Sequence, residues 1–155
     1  MNSLKVTQVK KRNGRLQKLN INKINLCAQR ACEGLDDVSA SEVVIDANVQ
    51  LFEKTPTKDI DRALIMSARA KSEKDPNYSY VAARLLLGNI HKEVFGSSVD
   101  KDAFDHQYRL SFIRNIKLLV KEEVLDEKLL DFDLKRLSSV LVLERDYKFK
   151  YLGLQ

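Results

Sequence analysis

The chain is short of the residues that punctuate turns. It has five Gly and two Pro in 155 residues. So few breakers exclude a turn-rich β architecture and favour long helices. Cysteine is almost as scarce, and Cys27 and Cys32 fall together in one apolar-periodic stretch. Two thiols without metal-ligand spacing exclude a zinc ribbon and a disulfide framework. They read as small core residues of a protein in a reducing, cytoplasmic compartment. Long apolar runs are missing too, so no segment reads as a membrane span. The opening MNSLKVTQVKKR has no apolar stretch of the kind a secretory signal carries. Hydrophobic residues still make up 44% and charged residues 32%, enough for a packed globular fold rather than disorder.

Acidic and aromatic residues are missing from one region only. Residues 1–30 hold eight Lys or Arg and no Asp, Glu, Phe, Tyr or Trp. The remaining 125 residues carry 19 basic and 22 acidic residues, so the net charge of +5 is concentrated at one end. Such concentration points to a polyanion, whether a nucleotide, a nucleic acid or an acidic surface. The missing aromatics lower the nucleic-acid reading, because single-strand binders interleave stacking side chains with their cations.

Signatures of catalysis are absent as well. There is no HExxH, no Walker-A GxxxxGKS/T and no GxGxxG. His91 and His106 belong to different segments and form no acid–base constellation. The expectation is no catalytic residue and no metal site in this chain.

What is present is a hairpin followed by helices. Leu4, Val6 and Val9 precede Lys10-Lys11-Arg12-Asn13-Gly14, and Leu16, Leu19 and Ile21 follow. Asn-Gly between two semi-alternating runs predicts strands over roughly 4–11 and 15–20, joined by a turn in which both residues accept positive φ. Asn22 reads as an N-cap and Gly34 as the C′ residue of a first helix, with Ile24, Cys27, Ala28 and Ala31 on one face. Ser39 or Ser41 caps a second helix through about Phe52. Thr57 stands where a third N-cap belongs, with Asp59 and Asp61 following and Ile60, Leu64, Ile65 and Ala68 as the apolar stripe. Asp75-Pro76 ends that helix. A fourth helix spans about Tyr78–Phe95, ended by Gly96. Residues 97–102 read as a polar linker, and further helices are expected near 103–121 and 126–142.

The densest set of phosphate donors is Lys10, Lys11, Arg12, Asn13 and Gly14, followed by Asn20 and Lys23. A tight basic turn gathers cationic groups and backbone amides, the donors that phosphate oxygens need. By composition alone, a solvated basic turn explains the same residues.

A resemblance bears on that choice. Val9-Lys10-Lys11-Arg12-Asn13-Gly14 and Asn20-Ile21-Asn22-Lys23-Ile24 are similar to the opening of ATP-cone domains. The order continues through Thr57-Lys58-Asp59-Ile60-Asp61, Asp75-Pro76-Asn77-Tyr78, Ala82-Ala83-Arg84-Leu85 and Asn89-Ile90-His91-Lys92-Glu93. The Tyr78–Leu85 segment is the most specific, and it resembles the last cone helix of ribonucleotide reductases. Farther on, Glu144-Arg145-Asp146 with Phe149, Tyr151 and Gly153 resembles the start of the helical domain in class I large subunits.

The resemblance implies a mainly α fold. A helical bundle would be capped by a small N-terminal β-hairpin or three-stranded sheet and followed by additional helices. It implies a cone over 1–96 and the helical start of the large-subunit N-terminal domain over 97–155, in a segment that normally continues. It implies ATP or dATP, with Mg2+, as an allosteric effector in deoxyribonucleotide synthesis. Lys11, Arg12 and Lys92 would hold phosphates, Asn20 and Lys23 would contact the nucleotide, and Thr57 would match the threonine opening the third helix. Asp61 aligns with a ribose-side position that is Asp in eukaryotic-type enzymes and His in some bacterial ones. Gln17 departs from the Glu common in the family, and its amide still offers hydrogen bonds to an adenine edge. Implied partners are the remainder of the large subunit, a radical-generating small subunit and an oligomeric assembly, with no membrane and no nucleic acid. Two alternatives stay open from the residues alone: a basic-hairpin nucleic-acid-binding module and a helical protein-interaction module.

Overall fold

A computed structural model describes residues 7–95 and 101–155, with the side chains of 101–103 left out. Strands β1 (Gln8–Lys10) and β2 (Leu16–Lys18) pair antiparallel, with Val9 opposite Gln17. The turn between them is tighter in its use of φ than Asn-Gly predicts. Gly14 N–H donates to the Lys11 carbonyl and Lys11 N–H to the Arg15 carbonyl, both at 2.8 Å. Gly14 alone is left-handed, at φ +83°. Asn13 stays at negative φ and its side chain accepts from Arg15 N–H at 3.2 Å. This is a type I turn closed by a glycine bulge, the usual solution for a three-residue hairpin loop. The strands are shorter than expected within the described residues, and positions 4–6 lie outside them.

The third strand, β3 (Thr55–Pro56), runs parallel to β1, with Val9 opposite Thr55, giving the order β2-β1-β3. Glu53 secures this edge. Its carboxylate accepts from Thr7 N–H at 2.8 Å, Gln8 N–H at 3.0 Å and the Thr7 hydroxyl at 3.0 Å. The Thr7 amide foremost holds the Glu53 carboxyl below the usual carboxylate range.

Helix α1 covers Ile21–Cys32, and its N-cap is Asn20 rather than Asn22. Asn20 is extended and its side-chain oxygen accepts from Lys23 N–H at 3.2 Å. Both asparagines have the chemistry of a cap, and the short strand before Asn20 decides between them. Gly34 is left-handed at φ +69°, directly after the C-cap Glu33, as the sequence predicts. Helix α2 (Ala40–Asn48) is capped by Ser39 and stops short of Phe52, because the chain must turn to reach β3. Helix α3 (Thr57–Ala70) corrects a second cap. Thr57 is its first helical residue, and Pro56 occupies the cap with no side-chain capping bond of its own. A single 3-10 turn, Lys71–Glu73, extends α3 toward Asp75-Pro76. Helix α4 covers Tyr78–Phe95, the predicted span.

These helices share one core. Ala28, Val43, Ala68, Val81 and Ala82 are fully buried in it, and the small residues let the helix backbones approach closely. Cys27 and Cys32 pack against its margin, and burial pushes the Cys32 thiol up, with Arg84 opposing. Two buried hydroxyls tie the layers. Ser67 donates to the Val43 carbonyl at 2.9 Å, and the Tyr78 hydroxyl accepts from Ser39 N–H at 3.0 Å.

The chain divides into two units. The first runs from Met1 to Ile90 and takes back Tyr147–Gln155, and the second is His91–Asp146. In the first, Tyr151 is buried in the core and its N–H donates to the Ser79 hydroxyl at 3.3 Å. Cations lie over three rings there: Arg69 on Tyr151, Lys150 on Tyr80 and Arg84 on Tyr147, at 5.5, 5.5 and 5.8 Å.

The second unit contains α5 (Lys101–Lys121) and α6 (Leu134–Ser139). The single helix expected over 126–142 is broken. Glu127–Asp131 forms a 3-10 turn, Phe132 is extended, and Asp133 caps α6 through Arg136 N–H. Asp126 and Asp133 each bond a nearby amide, which stops one helix and starts another. A 3-10 segment (Leu143–Lys148) and the short α7 (Tyr151–Leu154) complete the chain.

Candidate nucleotide site

The basic turn and the start of α3 come together because β1 pairs with β2 on one side and β3 on the other. β3 runs directly into α3, so the parallel pairing of Lys10 with Pro56 sets the helix N-terminus beside the turn. Between them lies an open hollow of about 460 Å3 lined by Lys10, Lys11, Arg12, Pro56, Thr57 and Lys58. Its size falls in the range small-molecule ligands occupy. Four of the six lining residues are cations and none is an acid, so the hollow selects for negative charge.

The helix adds a second source of attraction. Pro56 has no N–H and brings no side-chain cap, so the first amides of α3 carry the positive end of the helix dipole toward the hollow. A helix N-terminus flanked by lysines is a phosphate-binding arrangement. Thr57 contributes a hydroxyl at the same end.

Arg12 reaches beyond the hollow. Its Nη2 lies 3.5 Å from Asp61 Oδ2, on the second turn of α3, and also donates to Asn89 Oδ1 on α4. The guanidinium therefore joins the hairpin to two helices. Asp61 is 16% exposed and Arg12 31%, so this pair is better shielded than an ordinary surface ion pair.

The other predicted residues are not among those that line the hollow. Gln17 is exposed on β2, paired with Val9. Asn20 serves as the α1 cap, so its side-chain oxygen is engaged by Lys23 N–H, and the Lys23 side chain is exposed in the first turn. Lys92 lies in the last turn of α4, in the second unit. Sequence reasoning missed Lys58, Pro56 and Asn89 as members of the neighbourhood. Lys58 had a signal in its place after Thr57, whereas the Asn89 contact spans 77 residues and leaves no local trace.

The chain matches the family described as ATP cone domain over residues 7–93, more than half of its length. It belongs to the ATP-cone family. The cone match contains both walls of the hollow and the residues that hold Arg12. Over 148 residues, 95% of this chain, it is 35% identical to ribonucleoside-diphosphate reductase subunit alpha of Helicobacter pylori, covering 18% of that protein. The corresponding subunit of Haemophilus influenzae is 35% identical over 128 residues, 82% of the chain and 16% of the relative. Subunit alpha of reductase 1 from Salmonella typhimurium is 30% identical over 148 residues, 95% of the chain and 19% of the relative. The cone-bearing chain thus spans less than a fifth of the length of these relatives. Among its described residues no helix is long and apolar enough to cross a membrane.

Proposed function

We propose that this chain is the allosteric nucleotide-binding portion of a ribonucleoside-diphosphate reductase large subunit, and that it binds ATP or dATP at the hairpin hollow. The observation that carries the reading is the basic turn Lys10-Lys11-Arg12 set against the N-terminus of α3, which carries no side-chain cap. Lys11 and Arg12 bind phosphate oxygens, the first amides of α3 add hydrogen bonds, and Thr57 completes the polar wall. Asp61 is an acceptor-only group beside Arg12, suited to a ribose hydroxyl rather than to a phosphate. Gln17, Asn20 and Lys23 serve the base end of the nucleotide, and Lys92 supplies a further cation. Mg2+ accompanies the triphosphate as its counter-ion.

ATP and dATP differ by one hydroxyl. For that difference to regulate, the two nucleotides must differ in affinity for two states of an assembly, since equal binding shifts nothing. The cone over 1–96 is the sensor, and 97–155 begins the part through which the remainder of the large subunit, the small subunit and the oligomer respond. Ribonucleotide reduction belongs to that remainder, and this chain alone turns over no substrate.

Calorimetry and thermal shift with ATP, dATP and single-stranded DNA at matched salt test the reading. Nucleotide at about 100 times its dissociation constant adds about 2.7 kcal/mol of stability. Absence of heat and of stabilisation at millimolar nucleotide refutes it, and preferential binding of the DNA transfers the basic hairpin to nucleic-acid recognition.

A further inference from the structure

We infer that Asn89 is a positioning residue for nucleotide binding: it acts through Arg12, holding the guanidinium as a clamp between the hairpin, α3 and α4. This deepens the nucleotide-site reading above and rests on it. Asn89 does not line the hollow, yet its Oδ1 accepts from the same Arg12 nitrogen that meets the Asp61 carboxylate. Those two acceptors come from α3 and α4, and Arg12 sits in the middle of a hairpin turn whose residues are all exposed.

Three features support the assignment. An arginine side chain has many rotamers to lose, and an exposed one must be ordered before it can grip a phosphate. A hydrogen bond to Asn89 and an ion pair with Asp61 on one of its three nitrogens restrict the guanidinium before ligand arrives, which removes part of that cost. The acceptors also differ in charge. Asp61 alone would draw the guanidinium toward α3 as an ion pair with loose geometry, whereas the neutral amide of Asn89 adds direction without a second negative charge near a polyanion. An aspartate at 89 would keep the acceptor and add repulsion to phosphate. A leucine of similar volume would remove the acceptor alone.

Asn89 thus sets how far the hairpin is committed to the helices. When the amide bond is made, the turn Lys11–Gly14 is anchored at its tip. When it is lost, the turn is held by the looser Arg12–Asp61 pair, by Gly14 N–H to the Lys11 carbonyl and by the short strands.

The test is a cycle on the full chain: wild type, Asn89→Leu, Arg12→Lys and the double variant, each titrated with ATP and dATP by calorimetry. Lysine keeps a phosphate-binding charge but cannot span two acceptors with a planar fork. Asn89→Leu should weaken both nucleotides about five- to tenfold in the wild-type background and by less than about twofold beside Arg12→Lys. Asn89→Gln should recover part of the loss. An equal loss in both backgrounds assigns Asn89 a merely structural role and overturns the inference, as does wild-type affinity in Asn89→Leu. A nucleotide-free readout keeps it separate from the site reading. Asn89→Leu should speed exchange of the Arg12 Nε–H and of the Lys11–Gly14 amides while α4 core amides stay protected. If wild type binds no nucleotide, the site reading fails while this exchange still reports on the clamp; unchanged exchange overturns the clamp whatever the nucleotide does.

Discussion

Asp61→Asn removes the carboxylate that meets Arg12, one of the residues lining the hollow, at 3.5 Å. Asp61 is the fifth residue of α3, beyond the first turn, where the helix dipole has largely decayed. A simple dipole role therefore contributes little, and the Arg12 partner carries the effect. Two unit charges 3.5 Å apart attract by roughly 1 kcal/mol in water and about 5 kcal/mol at an effective dielectric of 20. Desolvation and side-chain ordering cancel most of the larger figure, and measured pairs near a surface give about 0.2–1 kcal/mol. With both groups partly shielded, a loss of about 1 kcal/mol is expected, or roughly 2–4 °C in melting temperature for a chain of this size. The nucleotide response should be larger and selective. Asparagine retains one acceptor oxygen but presents a donor beside Arg12, so the hydrogen-bond pattern offered to a ribose hydroxyl inverts on one side. The ratio of ATP to dATP affinity should change about fivefold or more, while the common affinity changes less, since the phosphate-binding cations remain. Calorimetric titration of both nucleotides into both proteins measures the ratio directly. If both affinities move by the same factor, Asp61 has no role in sensing the sugar.

Lys11→Ala removes one lining cation and should weaken ATP and dATP alike by about tenfold or more, as the loss of a charge-assisted hydrogen bond dictates; a salt titration should show a shallower dependence. Tyr78→Phe leaves Ser39 N–H without its 3.0 Å acceptor in the part-buried seam between α2 and α4, which should cost about 1–3 kcal/mol of stability without changing nucleotide affinity. His91 packs against Phe95 and Phe104 at 5.6 and 4.8 Å, and burial foremost lowers its pKa, with Asp146 opposing. The unfolded chain then binds the proton more readily, so stability should fall as pH drops below about 6.5, and His91→Phe should flatten that limb in pH-dependent denaturation. Tyr108 behaves in the opposite range: burial and its 2.9 Å bond to Asp146 push it up to about 12. Stability should decline as pH rises past about 10 toward that value, and Tyr108→Phe should remove the decline.

The sequence alone determined what depends on neighbours along the chain. Asn13-Gly14 placed the hairpin turn, Gly34 ended α1, and the Ile60, Leu64, Ile65, Ala68 spacing identified the buried face of α3. Tyr78–Phe95 was legible because eighteen residues of helical periodicity outweigh any single ambiguous position. Caps were less legible. Asn20 and Asn22 are chemically equivalent, and Thr57 has the capping hydroxyl that Pro56 lacks, yet strand pairing fixes where the chain turns and α3 starts. The helix over 126–142 failed for a related reason, since two aspartates bonding adjacent amides outweigh a continuous apolar pattern. Only the tertiary structure decided β3, whose two residues have no strand signature apart from their parallel partner 46 residues earlier. The same holds for Tyr147–Gln155 returning to the first unit and for Arg12 meeting Asp61 and Asn89. Composition made the cluster of cations in the turn legible, but explained it equally well as a solvated turn. The hollow exists because one parallel strand pair carries the start of α3 to that turn, and a contact between segments so far apart in sequence leaves no periodicity to read.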